Sequence, residues 1–90
     1  MAQYVTSGTP INRTTTGSVS LVPGTLLGFY VNSTTAGTVV IGNGSNAAGT
    51  ALSGTITPAI GWHAFPAFCT LGCYVTIANT LDATFIFAAG

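Results

Sequence analysis

Apolar and polar positions alternate with period two along most of this chain. In residues 25–32, Leu27, Phe29 and Val31 fall on one face, and Tyr30 and Asn32 on the other. Residues 38–41 are β-branched throughout, with Val39 and Ile41 sharing a face. Residues 51–57 place Leu52 and Ile56 inward and hydroxyls outward, residues 74–77 do the same with Val75 and Ile77, and residues 83–88 offer Phe85 and Phe87. Such alternation in β-branched and aromatic residues predicts half-buried strands. Residues 18–22 predict a weaker strand, and residues 62–71, interrupted by Pro66, two short strands or edge segments. No stripe at helical spacing persists.

Turn signals separate these runs: Pro23-Gly24, residues 32–37, Asn43-Gly44, residues 58–61, and Leu71-Gly72. Asn43-Gly44 is the strongest hairpin cue. Short strands at this spacing predict an all-β fold, a compact antiparallel β-sandwich (jelly-roll or Ig-like) of about 6–8 short strands. Residues 1–16 are polar and Thr-rich without a core pattern. They read either as a loose terminus or as an N-terminal arm that orders only on assembly, leaving residues 17–90 as the β-sandwich domain.

Composition changes the picture. Only 2% of the 90 residues are charged, and these are Arg13 and Asp82. A soluble domain ordinarily carries about 25%. There is no Lys and no Glu, while the chain holds 12 Gly and 16 Thr. A single Arg cannot neutralise a phosphate backbone, so nucleic acid is not an expected partner. A membrane-spanning helix needs about 18 or more consecutive apolar residues, and no run approaches that, so no membrane is expected. Met1-Ala2-Gln3-Tyr4 has neither the basic start nor the apolar stretch of a secretory signal. Side chains for general acid–base catalysis are nearly lacking, which ranks an enzyme last. At this mass a folded surface of roughly 4,900 Å² is expected against roughly 13,000 Å² unfolded, a marginal burial for a lone domain. Near-zero net charge favours association.

The candidate chemistry is sparse. Cys69 and Cys73 flank Thr70-Leu71-Gly72. That spacing is not a zinc knuckle, and with His63 and Asp82 it makes a poor tetrahedral set, so neither metal nor cofactor is expected. In a reducing cytoplasm the two thiols read as small buried hydrophobes. A disulfide across a tight hairpin is the alternative if the particle matures outside the cell. Gly42-Asn43-Gly44 lacks the third glycine and following helix of a phosphate loop. No G-x-S-x-G elbow places a nucleophile beside His63 and Asp82. Arg13 and Asp82 are candidates for pairing with each other, or Arg13 with a partner's carboxylate.

From Gly24 onward the chain resembles small virion proteins of tailed bacteriophages, the head decoration or cement type. The resemblance is carried by Gly24-Thr25-Leu26-Leu27-Gly28-Phe29-Tyr30-Val31-Asn32, Gly37-Thr38-Val39-Val40-Ile41, Asn43-Gly44, Ala48-Gly49-Thr50, Tyr74-Val75-Thr76-Ile77 and Ala83-Thr84-Phe85-Ile86-Phe87. It covers roughly three-quarters of the chain on the coarse strand map. The chain departs from the pattern in lacking an acidic residue near Asn43-Gly44 and a basic C-terminal end. The resemblance implies a β-sandwich on the capsid exterior, made in the bacterial host cytoplasm. It implies the major capsid protein as partner, and the chain itself as a dimer or trimer. The expected contacts are Tyr4, Arg13, Tyr30, Trp62 and His63, aromatic groups with a polar handle and the lone cation. The alternative is a glycan- or host-surface-binding module of a head fibre or adhesin, with Trp62, Tyr30 and His63 as a stacking shelf. Ice binding, suggested by Thr richness, needs ordered Thr-x-Thr rows, and only residues 14–16 and 55–57 offer them.

Overall fold

The computed structural model describes residues 8–89. Six strands form: β1 Thr9–Arg13, β2 Gly17–Ser20, β3 Gly24–Asn43, β4 Thr50–Ala51, β5 Gly61–Cys69 and β6 Cys73–Ala89. All pairings are antiparallel and belong to one sheet. The fold is all-β, as the period-two pattern predicts.

β3 and β6 pair along their whole lengths, from Gly24 opposite Ala89 to Asn43 opposite Cys73. Held straight, the 20 residues of β3 would reach about 65 Å. The molecule measures 43 × 27 × 19 Å, so this ribbon doubles back. Register shows how. Gly24 at the start of β3 pairs with Cys69, and Asn43 at its end pairs with Cys73. Only three residues separate the two cysteines. Both ends of β3 therefore meet at one corner, where Asn43 ties down the 70–72 turn through Leu71 N–H (2.9 Å) and Thr70 Oγ1 (2.9 Å).

The folded ribbon makes two layers. In the front layer the order is β1, the C-terminal half of β6, the N-terminal half of β3, then β5. In the back layer it is β2, the N-terminal half of β6, the C-terminal half of β3, then β4. The result is a small sandwich whose layers share their two central strands, instead of the separate sheets of a jelly roll or Ig domain. Leu26, Phe29, Val31, Phe85 and Phe87 from the front meet Val39, Ile41 and Val75 from the back in one core. Each such side chain contributes about 1.5–3 kcal/mol on burial.

Three local expectations change. Residues 32–37 do not turn: β3 runs through them, and bulges in the β3–β6 pairing at 31–33 and 35–36 take up the bend. Leu27 does not share a face with Phe29 and Val31. A bulge between Leu26 and Gly28 shifts the alternation, so Leu26 points in and Leu27 out. Residues 51–57 form no continuous strand: Ala51 pairs in β4, Leu52 and Ser53 donate to the Ile41 carbonyl (2.7 and 3.2 Å), Ile56 bridges Val39, and Leu52 is exposed, not inward. The arm boundary also moves. Residues 9–13 form β1, registered on β6 from Thr9–Phe87 to Arg13–Ala83, and Ile11 packs against the core.

Candidate functional site

The outer face of the front layer is apolar. In antiparallel sheets with one wet face, outward positions are ordinarily polar. Here β5 alternates half-buried and exposed along its length, and its exposed set is Trp62, Ala64, Pro66 and Phe68. One cross-strand row reads Asn12, Thr84, Tyr30, Trp62. Trp62 is 51% exposed, Tyr30 47% and Phe68 57%. Leu27 and Ile86 on the same face are partly buried. Gly28 makes room for the indole: a Cβ there would lie 2.7 Å from two of its ring carbons. Trp62 thus lies over the sheet against backbone, and half of it faces solvent.

One corner of this face is polar. Asp82 Oδ1 accepts from the Asn12 amide (2.7 Å) and the Asn32 amide (3.3 Å). Thr84 Oγ1 accepts from the same two amides, at 3.3 and 3.1 Å. The carboxylate is therefore held by neutral donors. The Asp82–Arg13 pairing does not form. Arg13 donates instead to the carbonyls of Thr16 (3.0 Å) and Thr15 (3.4 Å), closing the turn between β1 and β2 over Gly17.

Of the expected contacts, the structure brings Tyr30 and Trp62 together. His63 lies on the opposite side of β5. Its ring stacks on Phe29 with centroids 5.3 Å apart, and Nε2 meets the Ala59 carbonyl at 2.7 Å. Successive strand residues point to opposite faces, so Trp62 and His63 cannot share a shelf. Arg13 is a turn staple, and Tyr4 lies outside the described residues. Sequence reasoning missed Phe68 and the outward Leu27. The signal for Phe68 was present: in β5 every side chain but His63 is apolar, on both faces of a strand that Pro66 marks as an edge.

A second apolar group sits at the corner. Leu21, Val22 and Leu71 are exposed on two turns that run side by side, since Ser20 pairs with Cys73 and Gly24 with Cys69. Beneath them the two thiols are fully buried and unbonded. Burial pushes the Cys73 thiol up to about 12, with the neighbouring Cys69 adding to the shift. Burial also raises Cys69, partly offset by hydrogen bonds from the Cys73 thiol and the Leu26 backbone. Neither is a ready nucleophile at neutral pH.

The back layer carries a groove of about 110 Å³ lined by Val40, Gly42, Asn46, Ala47, Gly49, Ala51, Tyr74 and Thr76. Its only titratable side chain is the Tyr74 phenol. Among the described residues no three His, Cys, Asp or Glu side chains gather as a metal site, and no helix is long and apolar enough to cross a membrane. Comparison with protein families, with curated proteins and with solved structures finds no match to this chain.

Proposed function

We propose that this chain is a structural assembly protein whose front face docks on the uncharged surface of a protein shell. In its specific form it is a decoration or cement protein on the exterior of a bacteriophage head, bridging neighbouring major capsid subunits. One observation carries the reading: the large exposed apolar side chains Tyr30, Trp62 and Phe68 share one sheet face whose lone carboxylate is already hydrogen-bonded. Scattered exposed hydrophobics are ordinary, whereas a contiguous patch marks a contact surface. Aromatic residues concentrate in the centres of such contacts. The mechanism is mass action, because a ligand of the closed shell alone stabilises that state. The sequence resemblance supports the phage head in particular, and with it self-association as a dimer or trimer.

The test is co-sedimentation of the purified protein with assembled bacteriophage heads that lack a decoration protein. Saturable binding, lost in Trp62→Ser combined with Phe68→Ser, is the expected result. Protein that stays in the supernatant at every concentration overturns the reading. A second reading rests on the same aromatic pair: Tyr30 and Trp62, side by side and half exposed, also suit a sugar ring. A glycan array showing specific hits that Trp62→Ser abolishes would favour a glycan-binding module instead.

A further inference from the structure

We propose that Cys69 and Cys73 form a covalent modification site, a dithiol that closes to an intramolecular disulfide by exchange with a low-molecular-weight disulfide such as oxidised glutathione. This inference does not depend on the docking reading.

The geometry is specific to the corner of the fold. Cys69 ends β5 in the front layer and Cys73 opens β6 in the back layer. The chain crosses between layers in three residues, and Gly72 makes the crossing at φ +131° with the Ser20 carbonyl 2.7 Å from where a Cβ would stand. A side chain there is excluded on both counts. Both cysteine side chains turn inward and are fully buried in one core cluster. Two inward-facing thiols separated by three residues across a corner, in one core cluster, are placed for a bond with little backbone movement. The bond would tie the front layer to the back at the point where both ends of β3 arrive.

The exchange balances in two steps. The Cys69 thiolate attacks one sulfur of glutathione disulfide, forming a mixed disulfide and expelling one glutathione thiolate, which takes up the Cys69 proton. The Cys73 thiolate then attacks Cys69 Sγ, the protein disulfide forms, and the second glutathione leaves with the Cys73 proton. Two protein thiols are oxidised by two electrons, and one glutathione disulfide is reduced to two thiols. Cys69 attacks first because its thiolate is the better supported, by the Cys73 thiol and the Leu26 backbone. Access comes through the 70–72 turn, exposed at Thr70 and Leu71, which Asn43 and the Gly44 N–H to Gly72 carbonyl bond (3.1 Å) hold closed. A reducing cytoplasm keeps the pair as thiols, and release into an oxidising medium closes it.

The test is equilibration of the reduced protein in glutathione redox buffers, native and in urea, with acid quenching, alkylation and intact mass measurement. The native chain is expected to lose two hydrogens, with an equilibrium constant at least about tenfold above that of the unfolded chain, and to melt about 5–10 °C higher when oxidised. Cys73→Ala is expected to stop at a single glutathione adduct on Cys69. A native constant equal to or below the unfolded one overturns the proposal, because the bond would then strain the fold. So does a native product consisting only of glutathione adducts or covalent dimers.

Discussion

Ser18 Oγ is buried on β2 without a hydrogen-bond partner. An unpaired buried hydroxyl carries its desolvation cost with no return. Ser18→Ala is expected to raise stability by up to about 1 kcal/mol, read as a higher urea midpoint at unchanged slope. The thiols set a different expectation. Cys73 is pushed up to about 12 in the folded chain, from an ordinary 9.0. Above the ordinary value the unfolded thiol loses its proton while the folded one keeps it. The contribution is therefore fully present below pH 9 and is lost as pH rises from there toward about 12. Reduced protein should lose stability over that window, and Cys73→Ala, though less stable at neutral pH, should lose less across it. An equal loss in both would show that the Cys73 thiol does not carry the effect. The core residues behind these effects were legible: Val39, Ile41, Val75, Phe85 and Phe87 all lie on the faces that alternation gives them. Leu27 was not, because one bulge reverses everything on its far side, and nothing in Leu26-Leu27-Gly28 alone says which residue is extra.

At the scale of elements, the informative failure is the 32–37 segment. Its Asn, Ser, Thr and Gly residues read as a turn, yet the chain stays extended and paired with β6. What they supply is a crease. Ala36 and Asn79 adopt φ of 52° and 60°, and the Asn79 amide donates to the Ala36 carbonyl at 2.8 Å across the ribbon. Thr34 Oγ1 accepts the Gly37 N–H at 3.0 Å. Turn-forming residues thus bend two strands together instead of reversing one, and local sequence does not separate these uses because the same positive φ serves both. Alanine has no side-chain bond to offset the left-handed conformation. Ala36→Gly is expected to stabilise by about 0.5–1 kcal/mol, relief of strain exceeding the entropy glycine adds to the unfolded chain. Asn79→Ala is expected to destabilise by about 1–2 kcal/mol, since it loses both the residue that tolerates the conformation and the bond across the crease. Thermal melts of the pair check both signs. A destabilising Ala36→Gly or a neutral Asn79→Ala would mean that the strain lies elsewhere in the ribbon.

Across the whole molecule, the accessible surface is 4892 Å², close to the roughly 4,900 Å² expected for a compact chain of this mass. The apolar face is thus exposed by where its residues stand, not by loose packing. It was half legible: Tyr30 and Trp62 could be picked as large aromatics, but their adjacency needed the β3–β5 register, and the exclusion of His63 needed the side of β5 on which it falls. The same placement fixes how docking should respond to salt. The described residues hold only two charged side chains, Arg13 hydrogen-bonded to the carbonyls of Thr15 and Thr16 and Asp82 to the amides of Asn12 and Asn32, so a contact on this face has little charge to draw on. Screening acts on exposed charges over about 8–10 Å and leaves apolar contacts alone, while strongly excluded salts such as sulfate strengthen apolar burial. Shell occupancy should therefore hold steady as sodium chloride rises and increase in sulfate. An occupancy that collapses between low and moderate sodium chloride would place the contact on charges of the partner and on a surface other than this face. Trp62→Ser with Phe68→Ser separates the cases: it should remove salt-resistant binding while thermal melting stays cooperative, the side chains being half solvated in the free protein and contributing little to its own core.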